Sequence, residues 1–323
     1  MKYISLPDEC VRRLSFYLAM EEYVARFIDE KDCFFYWQVE PSVIFGRNQL
    51  IESEVNTDYC RSRGISMFRR KSGGGCVYAD MKNIMFSYVT AEENVGFVFN
   101  RYINMVIHSL RSLGVEAHGS GRNDIMIGDR KVSGNAFYHV PGKSIVHGTM
   151  LYDTDIENMT RSITPSDEKL VSKGIQSVRQ HIALLKDYID IDIETFKRFV
   201  KADLCRGEIV LDKEAIRKIE EIEREYLSPE FIYGNNPRYT LTRKGRIEGV
   251  GEFEIGLEIK NGTIKKADMH GDYFIIGEVD RGIIGRLKNV PFSRDEIAKA
   301  LPPRLDDIIM NLKKDDFVNL ITT

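Results

Sequence analysis

No stretch of the 323-residue chain approaches the apolar length needed to cross a bilayer. The opening residues Asp8, Glu9, Arg12 and Arg13 also break up the hydrophobic run that a secretory leader requires, so the expected compartment is the cytoplasm, with no membrane partner. An excess of cations is missing too. With 46 Lys and Arg against 49 Asp and Glu, the net charge is -3 and the pI about 6.1. That balance argues against a nucleic-acid binder, because neutralising phosphates takes concentrated positive charge. Cysteines number five, Cys10, Cys33, Cys60, Cys76 and Cys205, and no two share the close spacing of a zinc or redox pair, so free thiols are expected. The chain has no P-loop pattern, internal repeat or low-complexity tract, and no nucleophile and base stand out as a pair. What remains is ordinary globular composition, 43% hydrophobic and 29% charged, in a chain long enough for roughly two domains.

The most informative segment is Arg69-Arg70-Lys71-Ser72-Gly73-Gly74-Gly75. Glycine lacks Cβ and tolerates positive φ, so three in succession let backbone amides close around an anion while an adjacent arginine offers a planar fork of donors. Cys76, directly after it, reads as a small buried residue at a strand start. Around this loop, the spacing predicts an amphipathic helix over 14–26, strands over 34–39, 43–45, 65–70 and 83–89, and a helix over 101–113 ended near Gly114.

Residues 123–152 read as a three-stranded antiparallel meander. Ile125 to Ile127, Val132 to Val140 and Ser144 to Leu151 are separated by Gly128-Asp129-Arg130-Lys131 and by Pro141-Gly142-Lys143. Short turns make neighbours of residues at equal height on adjoining strands, which brings Lys131, in the first turn, and His147 toward one pocket. His147 reads either as a general base or as hydrogen-bonded structure. From Thr154 to Tyr226 the pattern is helical and charged, with Ile216, Ile219 and Ile222 as an apolar stripe and the charges as a solvated face. Gly234 to Pro237 reads as a linker. Beyond it, alternation over 252–260 ending at Asn261-Gly262 predicts a hairpin, and Ser293-Arg-Asp-Glu296 predicts a capped helix. The fold class is α+β, with a domain over 1–240 and a smaller α+β domain over 245–323.

Order, spacing and identity together make the chain similar to the lipoate-protein ligase A family. The resemblance rests on Arg69 to Tyr78, Asn83, Gly121 to Ile125, Gly128 to Ala136 and His147-Gly148-Thr149, with further likeness over Lys173 to Arg179 and from Asn236-Pro237 onward. It implies a biotin-ligase-like catalytic domain, with mixed, largely antiparallel sheets flanked by helices, followed by an accessory domain. It also implies activation of lipoate with ATP and Mg2+ to lipoyl-AMP, then transfer to a lysine of apo lipoyl-carrier domains. Those carriers are 2-oxoacid dehydrogenase subunits and the glycine-cleavage carrier protein, and the enzyme would act as a monomer. Joining a carboxylate to a phosphate collects negative charge, which calls for fixed positive charge more than for a covalent nucleophile.

On this resemblance Lys131 is the catalytic residue, bridging acyl carbonyl and α-phosphate. Arg70 neutralises the pyrophosphate side, while Ser72, Gly73, Gly74 and Gly75 wrap chain and phosphate. Val77 borders the acyl tunnel, and Tyr78 belongs to the substrate-binding set. Asn83 and Ala136 contact the adenylate, and Asn123, Ser133, His147, Gly148 and Thr149 complete the substrate-binding set. Asp124 is the magnesium-side carboxylate. Ala79 and Val146 replace histidines of the family pattern. Two alternatives remain: an ATP-independent acyltransferase using a cysteine thioester such as Cys76, and a non-catalytic carrier-binding module.

Overall fold

The computed structural model describes residues 1–49, 51–121, 123–163, 180–233, 241–260 and 262–322. The segment Lys173 to Arg179 and the linker Gly234 to Pro237 lie outside them, as do Arg122 and Asn261. Two compact units divide the chain. One comprises Met1–Phe45, Ile51–Arg70 and Cys76–Ile232, the other Gly46–Leu50, Lys71–Gly75 and Tyr233–Thr323.

The architecture is α+β. In the first unit β1 (Lys2–Ser5), β2 (Asp32–Trp37), β6 (Ile84–Thr90), β7 (Ala117–Gly119), β8 (Asp124–Ile127), β9 (Arg130–Val140), β10 (Lys143–Met150) and β11 (Glu208–Val210) form one sheet. Their spatial order is β11-β1-β2-β6-β10-β9-β8-β7, parallel at the β11-β1-β2 end and antiparallel from β2 onward. A second sheet sets β3 (Ser42–Phe45) between a parallel β4 (Ser66–Arg69) and an antiparallel β5 (Val77–Ala79). The meander predicted from the sequence is present as β8, β9 and β10. Strand β11 interrupts the stretch read as helical: Glu208-Ile-Val210 is short and β-branched, and β1 offers it an edge to join.

The Leu14–Phe27 helix is not the half-exposed amphipathic element that its spacing suggests, since twelve of its fourteen residues are buried. It therefore carries two carboxylates, Glu21 and Glu22, into the interior, where they need partners. Glu22 accepts from Arg26 at 2.6 Å and from the Tyr226 hydroxyl. The Lys213–Tyr226 helix packs alongside, and its buried line is Ala215, Ile219, Glu223 and Tyr226 instead of the three isoleucines alone. Glu223 belongs there because Ser15 Oγ donates to it at 2.5 Å. Burial, then Tyr138 and Glu22, push the Tyr226 phenol well above its ordinary range, so it stays a neutral donor.

In the second unit β12 (Leu241–Ile247), β13 (Gly251–Lys260) and β14 (Thr263–Asp272) form an antiparallel meander. The alternation read from the sequence puts Phe253, Ile255 and Leu257 into a core shared with Ile309 and Phe317. Ser293 caps the Arg294–Ala300 helix as expected, its Oγ accepting from the Glu296 amide at 3.4 Å. No described helix is long and apolar enough to cross a membrane.

Ile219 is fully buried, on the Lys213–Tyr226 helix that packs along the Leu14–Phe27 helix. Ile219→Ala is expected to cost about 2–5 kcal/mol in denaturant unfolding, the range for emptying such a site.

Candidate active site

Lys131 is not in a turn. It is the second residue of β9, after a turn reduced to Gly128-Asp129, with Gly128 at φ 56°. Its main chain is held on two sides, by pairing with Met126 of β8 and by the Ala183 amide donating to its carbonyl at 2.8 Å. Between Lys131 and Ser133 the ladder slips: Met126 pairs with Lys131 while Ile125 pairs with Ser133, so Val132 is an extra residue. A bulge of this kind re-aims side chains. It changes the parity of the strand, and Lys131 comes to face the same side as Asp124, whose Oδ1 lies 2.8 Å from Lys131 Nζ. The ammonium is half-exposed, and a pair in that setting contributes about 1 kcal/mol or less.

Around this pair the start of the meander is cross-tied. Asn123 Nδ2 donates to the Asn135 carbonyl at 3.0 Å, and Asn135 Nδ2 donates to the Asn123 carbonyl at 2.8 Å. Ser133 Oγ reaches Asn135 Oδ1 at 3.2 Å, and Thr149 Oγ1 donates to the Gly134 carbonyl at 3.4 Å. Gly148 stands opposite Asn135, and a Cβ there would fall 1.8 Å from Asn135 Oδ1. Gly134 and Asn135 belong to the motif read over Gly128 to Ala136, but the sequence assigns them no role of their own. Only a backbone register reveals their place.

His147 belongs to another neighbourhood. It pairs with Ala136, five residues along β9 from Lys131, which is roughly 15 Å of strand. Its Nδ1 lies 2.9 Å from Glu21 Oε2. Ser87 Oγ donates to Glu21 Oε1 at 2.6 Å and accepts from Trp37 Nε1 at 2.9 Å, so a buried chain runs Trp37, Ser87, Glu21, His147. Tyr138, its phenol held far above the ordinary range by burial and then by Glu21, donates to the same carboxylate at 3.4 Å. Glu21 was missed in the sequence, although a carboxylate in the middle of an apolar helical run is a signal that could have found it.

Of the other candidates in this unit, Val77 and Tyr78 lie on β5, paired with Ile44 and Val43. Arg70 is buried, with Nη1 donating to the Ile44 carbonyl at 3.1 Å. Asn83 is 1% exposed; its Nδ2 donates to Thr154 Oγ1 at 3.1 Å, while its Oδ1 has no hydrogen-bond partner among the described residues. A buried acceptor left open in this way suits a ligand donor. Ala136 is buried beside His147 in the ladder.

The glycine loop belongs to the second unit, where Gly74 takes φ 88°. Its amide donates to the Tyr273 carbonyl at 3.2 Å, and the Arg47 amide donates to the Ser72 carbonyl at 2.9 Å. A Cβ on Gly73 would stand 2.2 Å from the Tyr273 oxygen, and one on Gly75 would stand 3.3 Å from Asp272 Oδ2. Glycine is required here for close backbone approach, as well as for conformational freedom.

The lipoyl protein ligase A/B catalytic domain model matches residues 14–205, and the bacterial lipoate protein ligase C-terminus model matches 236–321. A lipoate-protein ligase of Bacillus subtilis is 34% identical over 317 residues, 94% of this chain and 95% of the relative. The chain belongs to the lipoate-protein ligase family. Among solved structures, the bi-partite lipoate protein ligase described with its E2 lipoyl domain from Thermoplasma acidophilum is 27% identical with TM-score 0.66, over 74% of this chain and 98% of that one. A lipoate-protein ligase A bound with ATP is 25% identical with TM-score 0.62, over 72% and 99%.

Within a lipoate-protein ligase, the two departures from the family pattern fall in the interior. Ala79 and Val146 are both fully buried, Val146 between Phe137 and Tyr88 in the ladder. Burial works against the thiolate form at several of the cysteines. Burial pushes the Cys76 thiol above its ordinary range despite the opposing charge of Arg70, and burial raises Cys33 and Cys205 to about 11.

Glu21→Gln places an amide against groups that donate to the carboxylate. It is expected to lower stability by about 1–3 kcal/mol in thermal or chemical unfolding and to shift the His147 ring resonances. An unchanged midpoint with unmoved resonances would contradict the assigned network.

Proposed function

We propose that the protein activates lipoate with ATP to lipoyl-AMP and then transfers the lipoyl group to a lysine of an apo lipoyl-carrier domain. The observation that carries this reading is Lys131: a positive charge set by a bulge on a doubly anchored strand and paired only weakly to Asp124. Forming a mixed anhydride brings a carboxylate onto a phosphorus already surrounded by negative oxygen. A preorganised ammonium that exchanges a carboxylate partner for phosphate and acyl oxygens lowers that barrier without forming a covalent bond. The ATP-bound relative and the lipoyl domain described with the archaeal ligase support the choice of nucleotide and acceptor. The acceptors would be carrier domains of 2-oxoacid dehydrogenases and of glycine cleavage.

In this reading the acyl carboxylate meets Lys131, and the chain runs along β9 and β10 toward the His147 end, whose buried hydrogen-bonded side chains set the far boundary. Arg70 serves the phosphate, and Asn83 offers its open acceptor to the nucleotide. The described residues include no group of three metal-ligating side chains. Mg2+ commonly uses one or two carboxylates together with substrate phosphates, and Asp124, partly open to solvent, fits that role. Bound there, the ion would neutralise phosphate charge.

The thioester alternative needs a thiolate, and burial opposes one at every cysteine whose thiol is shifted.

Mixing pure protein, lipoate, MgATP and an apo lipoyl domain is expected to release AMP and pyrophosphate and to add one lipoyl group by mass. Acyl transfer without nucleotide consumption would overturn the reading. Lys131→Ala is expected to slow adenylate formation by about 100-fold or more, the scale for losing one electrostatic stabiliser. Cys76→Ser should turn over like the parent, measured as AMP formed per minute.

A further inference from the structure

Lys131 and Gly134 are three residues apart, a spacing that regular β alternation sends to opposite faces. The extra residue Val132 reverses this. Asp124, Gly134 and Lys131 share one side, with Asp124 directly opposite Gly134 in the ladder. A Cβ on Gly134 would lie 2.7 Å from both Cε and Nζ of Lys131, and 3.7 Å from Asp124 Oδ1. The end of the lysine side chain therefore lies across the bare α-carbon of Gly134, in space that any side chain would fill. Gly134 is not among the residues at positive φ, so its backbone does not call for glycine. The lysine does.

We infer that Gly134 is a positioning residue for Lys131: the missing side chain is the groove that fixes where the ammonium sits, and the Val132 bulge turns the lysine into it. This rests on the adenylation reading above, in which the place of one ammonium sets the rate. Gly134 touches neither reacting group in this account and acts only through Lys131. The nearest atoms met by an added Cβ are the flexible tip of a lysine rather than backbone, so alanine leaves the strand intact and moves the charge.

The test is Gly134→Ala in the full chain, read in two ways. With 13C-labelled lysine and no substrates, the Lys131 Cε resonance, assigned by its loss in Lys131→Ala, is expected to shift in Gly134→Ala. In adenylation assays kcat is expected to fall by about 100-fold, the cost of displacing a catalytic group by about an ångström, with KM for lipoate and ATP unchanged. The loss should vanish in a double-mutant cycle, because Gly134→Ala added to Lys131→Ala has no lysine left to move. The same cycle on melting temperature gives a reading that needs no activity: any destabilisation by Gly134→Ala should be relieved in the double variant.

An unmoved Cε resonance would overturn the inference. So would a kcat loss that persists in the Lys131→Ala background, or destabilisation that the double variant retains. A parent protein that forms no acyl-adenylate would instead defeat the functional reading, leaving the resonance and melting arms to decide the role of Gly134.

Discussion

A single ammonium held in a defined place, yet only loosely neutralised, is the feature on which the proposed chemistry depends. The strand beneath Lys131 is fixed by Met126 on one side and Ala183 on the other, so the uncertainty of a long side chain is confined to its tip. Asp124 then supplies a partner at 2.8 Å. A buried partner would hold the charge at a cost of several kcal/mol to separate, whereas a half-exposed pair gives it up cheaply. In the proposed reaction that difference would let one group rest against protein in the free state and against phosphate during turnover.

The opposite end of the same strands obeys the reverse logic. His147, Glu21, Ser87 and Trp37 are buried and joined by hydrogen bonds, and such networks are stiff because each member would lose a partner by moving. A central helix that is buried almost all round can carry Glu21 and Glu22 only because Ser87, Tyr138, Tyr226 and Arg26 meet them. A yielding charge at one end of β9 and a rigid polar wall about 15 Å away suit a long substrate with one reactive end.

The elements with strong local signals were legible in the sequence. Alternation gave the β8 to β10 meander and the β13 hairpin strand, Ser293 announced its helix, and Gly114 ended the one before it, at φ 81°. What escaped depends on pairing between distant segments. The Val132 bulge has no sequence signature, and the turn read over Gly128 to Lys131 proves to be only two residues long, with Arg130 and Lys131 already paired in the ladder. The edge strand β11 exists because β1 is available to it. Glu223 looked like part of a solvated face until Ser15, far away in sequence, supplied a donor. Likewise the glycine loop showed its need for bare backbone, but the sequence did not reveal that Tyr273 is what approaches it.

The account stands on the ammonium leaving Asp124 for the nascent anhydride. A crystal structure with a non-hydrolysable sulfamoyl analogue of lipoyl-AMP reads this directly. Lys131 Nζ is predicted to lie about 3 Å from both the acyl carbonyl and the sulfamoyl oxygen, still resting over Gly134. An ammonium that remains on Asp124, or turns to solvent while the analogue occupies the site, would contradict it.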